Sequence, residues 1–242
     1  MLSKTIVKYI QSLAHKKFRD EHGVFIAEGP KVVTELITSG KFKVKLICGL
    51  TEWMNESVLK TIEPDKFEIK ESELEKISLL AAPNKVLAVF YKKDESLSLL
   101  ENNISLMLDD IQDPGNMGTI IRIADWFGIK NIICTTGCVD GYNPKVVQAT
   151  MGSLARVEII YTDLVDFINK NNITDIYAAS LGGTNVSSIK IKEGIILIGN
   201  EGRGINKNLL QYAKENITIP KRGEAESLNA AVACGIILSH VL

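Results

Sequence analysis

Leu106–Gly128, LMLDDIQDPGNMGTIIRIADWFG, is the stretch whose reading decides the fold. It begins inside a short, mostly apolar run, Ile104–Leu108, that reads as a buried strand. Asp109 to Gly118 then gathers Asp, Pro, Gly and Asn, the residues of turns rather than of helix or strand interiors. Beyond it, Ile120, Ile121, Ala124 and Phe127 can line one face of a helix while Arg122 and Asp125 project elsewhere. Asn116 stands where an N-cap is expected, and Gly128 where a glycine would close the helix. Open α/β sheets place their sites in this way, outside the carboxyl ends of the strands. A plain strand-to-helix connection has no need of Asp113-Pro114-Gly115, Asn116, Gly118 and an arginine one turn into the helix. Together they mark a candidate site.

On the carboxyl side the alternation continues, with strand-like runs at Asn131–Thr135, Val157–Ile160, Ile176–Ala179, Ile195–Gly199 and Ile217–Pro220 and a closing helix from Leu228 to His240. Such near-continuously apolar strands suit a parallel sheet buried on both faces. On the amino side, Ser3 to Arg19 reads as one helix with an apolar stripe of Ile6, Val7, Ile10 and Leu13 and a cluster of Lys4, Lys8, Lys16, Lys17 and Arg19. Short strands near Phe25, Val44–Cys48, Phe67–Lys70 and Val86–Lys92 alternate with helices at Lys31–Thr38, near Ser57 and at Ser72–Leu80, which describes a small α/β domain. The polar stretch Asp94–Asn103 reads as the linker, giving domains at 1–95 and 104–242.

With 242 residues, 45% of them hydrophobic, the chain can bury a real core, and a net charge of -1 leaves no global basic field for coating nucleic acid, though room for a local patch. Cys48, Cys134, Cys138 and Cys234 form no C-x-x-C pair and lie in or beside apolar runs, so buried free thiols are expected and no metal site is. The amino terminus lacks a signal-peptide pattern and no window approaches a membrane span, so a soluble cytoplasmic protein is expected.

Two further strand-plus-loop clusters join the first: Ile196–Ile205, ILIGNEGRGI, and Ile219–Asn229, IPKRGEAESLN. In a parallel sheet all three loops gather at one edge. The Walker and G-x-G-x-x-G phosphate patterns are absent, and Ser227 has no nucleophile elbow and reads better as a helix N-cap.

Taken jointly, DDIQDPGNMGTIIRIADWFG, IGNEGRGI and IPKRGEAESLNAAVACGIIL resemble, in order and spacing, the three motifs of the SpoU/TrmH family of RNA 2′-O-ribose methyltransferases. RDEHGVFIAEGPKVVTEL is similar to that family's appended RNA-substrate-binding domain, a small ribosomal-protein-like α/β fold. The resemblance implies a SPOUT-type parallel sheet with a C-terminal trefoil knot, which general topology would argue against. It implies S-adenosylmethionine as cofactor, held at Gly199, Ile219 and Leu228, and a polar site of Asn116, Arg122, Glu201, Ser227 and Asn229. It also implies an RNA substrate, ribosomal before transfer RNA, bound partly by Lys4, Lys8, Lys16, Lys17 and Arg19. A homodimer follows from the same likeness and from the closing helix, apolar on nearly every side. The rival readings are a non-catalytic RNA-binding protein of this fold and an unrelated nucleotide-dependent α/β enzyme.

Overall fold

A computed structural model describes residues 2–93 and 103–242; most of the expected linker lies outside the described residues. In chain order the elements are α1 (Lys4–Ser12), α2 (Lys16–His22), β1 (Val24–Glu28), α3 (Pro30–Thr38), β2 (Val44–Gly49), α4 (Thr51–Met54), β3 (Asp65–Glu68), α5 (Glu71–Ile77) and β4 (Val86–Tyr91). There follow β5 (Ile104–Leu108), α6 (Pro114–Trp126), β6 (Asn131–Cys134), α7 (Pro144–Thr150), β7 (Glu158–Tyr161), α8 (Leu164–Lys170), β8 (Ile176–Asn185), β9 (Gly194–Ile198), α9 (Lys207–Leu210), β10 (Glu215–Thr218) and α10 (Ala230–Val241). They form two compact units, Met1–Asp94 with Asp140–Ala155, and Glu95–Val139 with Arg156–Leu242.

The first unit holds a sheet of order β1-β4-β2-β3, antiparallel except for the β2–β3 pair. Every residue of β1 is buried, so both faces of the strand are covered. Val24, Ile26, Leu46, Leu87 and Val89 pack with Ile10 and Leu13 at one face and with Leu74 and Ile77 of α5. Phe25, from the alternate register, stacks on Phe90 and meets Tyr142 at 4.8 Å between ring centroids. That contact, with α7 packed on β1, counts residues 140–155 with this unit. A single division between 95 and 104 does not foresee it, because only tertiary packing places Tyr142.

The helix expected over residues 3–19 is two helices. The chain turns at Leu13–His15, and the Arg19 guanidinium folds back to donate to the carbonyls of Leu13 (3.0 Å) and Ala14 (2.8 Å). Its other arm reaches Asp140 Oδ2 at 2.6 Å. At 1% exposure Arg19 is a core residue and is withdrawn from the expected RNA-binding set, whereas Lys4, Lys8, Lys16 and Lys17 are exposed.

The second unit is a six-stranded sheet of order β10-β8-β9-β5-β6-β7, with every neighbouring pair parallel. Met107, Ile133, Ala178, Ile195 and Leu197 pack against Leu164, Phe167 and Ile168 of α8 and Leu209 of α9. The alternate set, Leu106, Leu108, Ile132, Ile196 and Ile198, is equally buried. Period-two alternation turns these side chains to the other face of the sheet. Helices α6 and α10 pack on each other. The architecture is the expected α/β class with a parallel sheet. The loops after β5, β9 and β10 therefore leave one edge of it.

Candidate functional site

The loop after β5 is shaped by its helix cap. Asp113, not Asn116, is the N-cap of α6: its Oδ1 accepts the Asn116 backbone N–H at 2.8 Å, and Pro114 takes the first helical position. Asn116 is thereby placed in the first helical turn with its backbone satisfied and its amide free to reach outward. Asn229, not Ser227, caps α10; its Oδ1 accepts from the N–H groups of Ala231 (3.0 Å) and Val232 (3.2 Å). With that oxygen committed to the helix, the Asn229 Nδ2 donates to Asn116 Oδ1 at 2.7 Å. Asn116 can then present only its Nδ2 to the third partner, and this donates to Glu201 Oε1. One residue from each motif enters a directed chain whose polarity is set by a helix cap. Asn116, Glu201 and Asn229 are thus brought together as expected.

Ser227 is exposed and lies on the rim of a neighbouring cleft. Arg122 joins neither. It is six residues past Asn116, so about 240° around the helix and about 9 Å along it. It is exposed, with no hydrogen-bond or ion-pair partner among the described residues.

The cleft has a volume of about 890 Å³ and is walled by Ile198, Gly199, Ile219, Leu228, Ala230 and Ile237. All three expected cofactor residues, Gly199, Ile219 and Leu228, face this one space, and Glu201 borders it. Apolar walls with backbone polar groups and a carboxylate at the rim fit S-adenosylmethionine, whose adenine wants a dry slot and whose sulfonium is a cation. The reason for glycine at 199 differs from the expected one. A Cβ there would lie 2.5 Å from the Gly204 carbonyl carbon and 2.6 Å from Ile205 N, so the chain itself, before any ligand, excludes a side chain. Ala179–Leu181, in the middle of β8 and just past its pairing with β9, also line the cleft. The expected strand Ile176–Ala179 reaches only the first of them, and the carboxyl end of that expected strand was the signal that could have found them.

Ionisation is perturbed beside the site. Burial pushes the Asp109 carboxyl up, opposed by the Asn206 N–H donating at 2.7 Å and reinforced by the neighbouring Asp110. Cys138 is brought down to about 7, chiefly through its hydrogen bond with Cys134, whereas burial takes Cys48 and Cys234 up to about 12. All four cysteines are buried, and none forms a disulfide. Among the described residues no group of three or more His, Cys, Asp or Glu is set to hold a metal, and no helix is long and apolar enough to cross a membrane.

Comparison with known proteins agrees with this geometry. The SpoU rRNA methylase family matches residues 103–239, and an MRM3-like substrate-binding domain matches residues 4–88. The chain is 31% identical, over 97% of its length and 95% of the relative's, to the Bacillus subtilis 23S rRNA (guanosine(2553)-2′-O)-methyltransferase RlmP. It is similar to the AdoMet-bound rRNA methyltransferase of Sinorhizobium meliloti, at 32% identity and a TM-score of 0.88, covering 100% of this chain and 96% of that one. The fold is shared with the AdoMet complex of the SpoU methyltransferase AviRb from Streptomyces viridochromogenes, at 24% identity, a TM-score of 0.88, and coverage of 99% and 97%. A first domain built for substrate, a three-motif polar chain and an apolar cleft at one sheet edge place this chain in the SpoU family, as an S-adenosylmethionine-dependent RNA 2′-O-methyltransferase.

Proposed function

We propose that the substrate is a ribose in ribosomal RNA, that Asn116, Glu201 and Asn229 place it, and that the active unit is a homodimer in which Arg122 serves the partner's cleft. The observation that carries the reading is the Glu201–Asn116–Asn229 chain beside the apolar cleft. Bound S-adenosylmethionine supplies an electrophilic methyl on its sulfonium. The residues of the chain do the rest: Asn116 and Asn229 offer amide edges to ribose oxygens, and Glu201 fixes the Asn116 amide. A guanidinium about 4 Å from the attacking 2′-oxygen, at an effective dielectric near 20, contributes roughly 4 kcal/mol toward the oxyanion. That is worth about three in the hydroxyl pKa. Arginine holds its proton in proteins, so Arg122 acts by charge and not as the base.

Arg122 points away from its own chain's polar residues and shares an exposed face with Trp126, one turn on and 85% exposed. Val232 of α10 and Leu242 are also exposed. An unpaired cation beside exposed apolar side chains on α6 and α10 suits an isologous interface with a second copy. For RNA, Lys4, Lys8, Lys16 and Lys17 supply positive charge on the first unit, joined by Lys43 and Lys45 around Tyr91. The Bacillus subtilis and Sinorhizobium meliloti relatives named above are rRNA methyltransferases, which favours ribosomal over transfer RNA.

Mapping 2′-O-methyl positions in ribosomal and transfer RNA from parent and deletion strains tests the substrate: one ribosomal site should vanish. The subunit arrangement is tested with purified heterodimers of Arg122→Ala and Gly199→Val chains. Each homodimer should be inactive and the heterodimer should regain one working site. Heterodimer activity no greater than that of the homodimers, or a monomeric mass by light scattering, overturns the arrangement in trans.

A further inference from the structure

The loop that carries Glu201 is fastened at both ends to two consecutive aspartates just past β5. Asp109, 7% exposed, accepts the Asn206 N–H at one end of the loop, and its own N–H donates to the Ile198 carbonyl at 2.9 Å. At the other end the Asp110 carbonyl accepts Asn200 Nδ2 at 2.9 Å. Asn200 Oδ1 ties the loop from within, accepting the N–H groups of Gly202 (2.9 Å) and Arg203 (3.1 Å). The Asp110 carboxylate completes the fastening: Oδ2 meets Arg203 Nη2 at 2.5 Å and Oδ1 accepts Gln112 Nε2 at 3.0 Å.

Asp110 does this from an unfavourable backbone. Its φ of +59° is left-handed, a conformation that glycine adopts without strain and aspartate only at a small cost. Gly137 clears space for the carboxylate, since a Cβ there would lie 2.7 Å from Asp110 Oδ1. Glycine would follow the same backbone path at least as easily, but without the carboxylate that meets Arg203 and Gln112.

We propose that Asp110 and Arg203 form a latch that keeps residues 199–206 in the conformation setting Glu201 against Asn116, which makes Asp110 a positioning residue for methyl transfer. The inference rests on the reading of the site given above. An exposed ion pair adds little global stability. The latch therefore acts on the loop and not on the fold, and its removal should separate stability from turnover.

The test compares the full chain with Asp110→Gly, Asp110→Asn, Arg203→Ala, Arg203→Lys and the Asp110→Asn/Arg203→Ala double variant. Methyl transfer is read with labelled S-adenosylmethionine and ribosomal RNA from a deletion strain, cofactor affinity by calorimetry, and loop order by amide hydrogen exchange. Asp110→Gly should melt at or above the wild-type temperature, bind cofactor within about threefold of wild type, and lose about tenfold or more in kcat. Exchange at the amides of residues 202–206 should rise in the same variant. Arg203→Lys should recover most of the activity lost in Arg203→Ala, and the double variant should be no worse than the poorer single one. Wild-type kcat in Asp110→Gly, unchanged exchange over 202–206, or additive losses overturn the latch. If the wild-type chain binds no cofactor and methylates no RNA while exchange still responds to Asp110→Gly, the functional reading and Asp110's role in methyl transfer fail, while the hold on the loop stands.

Discussion

Removing the Arg19 guanidinium should unfold the first unit at a much lower temperature while leaving the exposed lysines to bind RNA. Arg19 donates two hydrogen bonds to carbonyls at the α1–α2 turn and one to Asp140, whose side chain is 10% exposed. Arg19→Ala abandons a buried carboxylate, for which breaking a buried pair costs about 3–5 kcal/mol. At about 4 °C per kcal/mol for a unit of this size, the transition of this unit should fall by roughly 12–20 °C in calorimetry. Replacing both partners, Arg19→Met with Asp140→Leu, removes the orphaned charge and should recover most of that loss. Lys16→Ala and Lys17→Ala, on solvated side chains, should leave the transition within about 2 °C yet flatten the salt dependence of RNA binding. An Arg19→Ala protein that melts like wild type but binds RNA more weakly would return Arg19 to the RNA surface and refute the burial argument.

Three further outcomes follow from the site. Asn229→Ser keeps an N-cap acceptor for α10 but deletes the amide that donates to Asn116, so methyl transfer should drop by about tenfold or more with thermal stability little changed; equal losses in both would reduce Asn229 to a cap. Gly199→Ala drives a Cβ to 2.5–2.6 Å from the Gly204–Ile205 backbone, so calorimetric cofactor binding should be lost even to this smallest side chain. Burial raises the Asp109 carboxyl above its unfolded value, so this group favours folding below that value and the benefit is lost as pH rises through its folded pKa. Asp109→Asn, which keeps an acceptor for Asn206, should therefore match or exceed wild-type stability in urea at pH 7 and gain nothing near pH 4; a loss at pH 7 would show that the charge itself is needed.

What the sequence made legible, and what it did not, divides along physical lines. Strands β5, β6, β7, β9 and β10 lie within two residues of their expected positions, because a parallel sheet covered on both faces demands continuous apolar runs. The helix caps were misplaced, since Asp113 and Asn116, or Ser227 and Asn229, are both good capping types a few residues apart. Pro114 was the available signal, as proline belongs at the first helical position and so points to Asp113. Arg19 misled because a charge in a basic run looks solvated, and only the tertiary structure sets Asp140 and two turn carbonyls around it. The trefoil knot that the family resemblance implies has no counterpart in periodicity or composition at all.

The polar site shows where that division bites. Asn116 meets partners 85 and 113 positions away, so the sequence could name the three residues by motif but not the direction of their hydrogen bonds. That direction is a local matter: the backbone N–H groups at the start of α10 claim one side of the Asn229 amide, and an amide has only two sides. Asn229 is thereby a donor to Asn116, and Asn116 a donor to Glu201, which leaves the carboxylate as the terminus of the chain. On the proposed reading, a substrate hydroxyl entering beside Asn116 meets groups already oriented through the cap of α10, whose Ala230, Ala233 and Ile237 also wall the cleft. One side chain, Asn229, thus serves both the helix start and the polar chain.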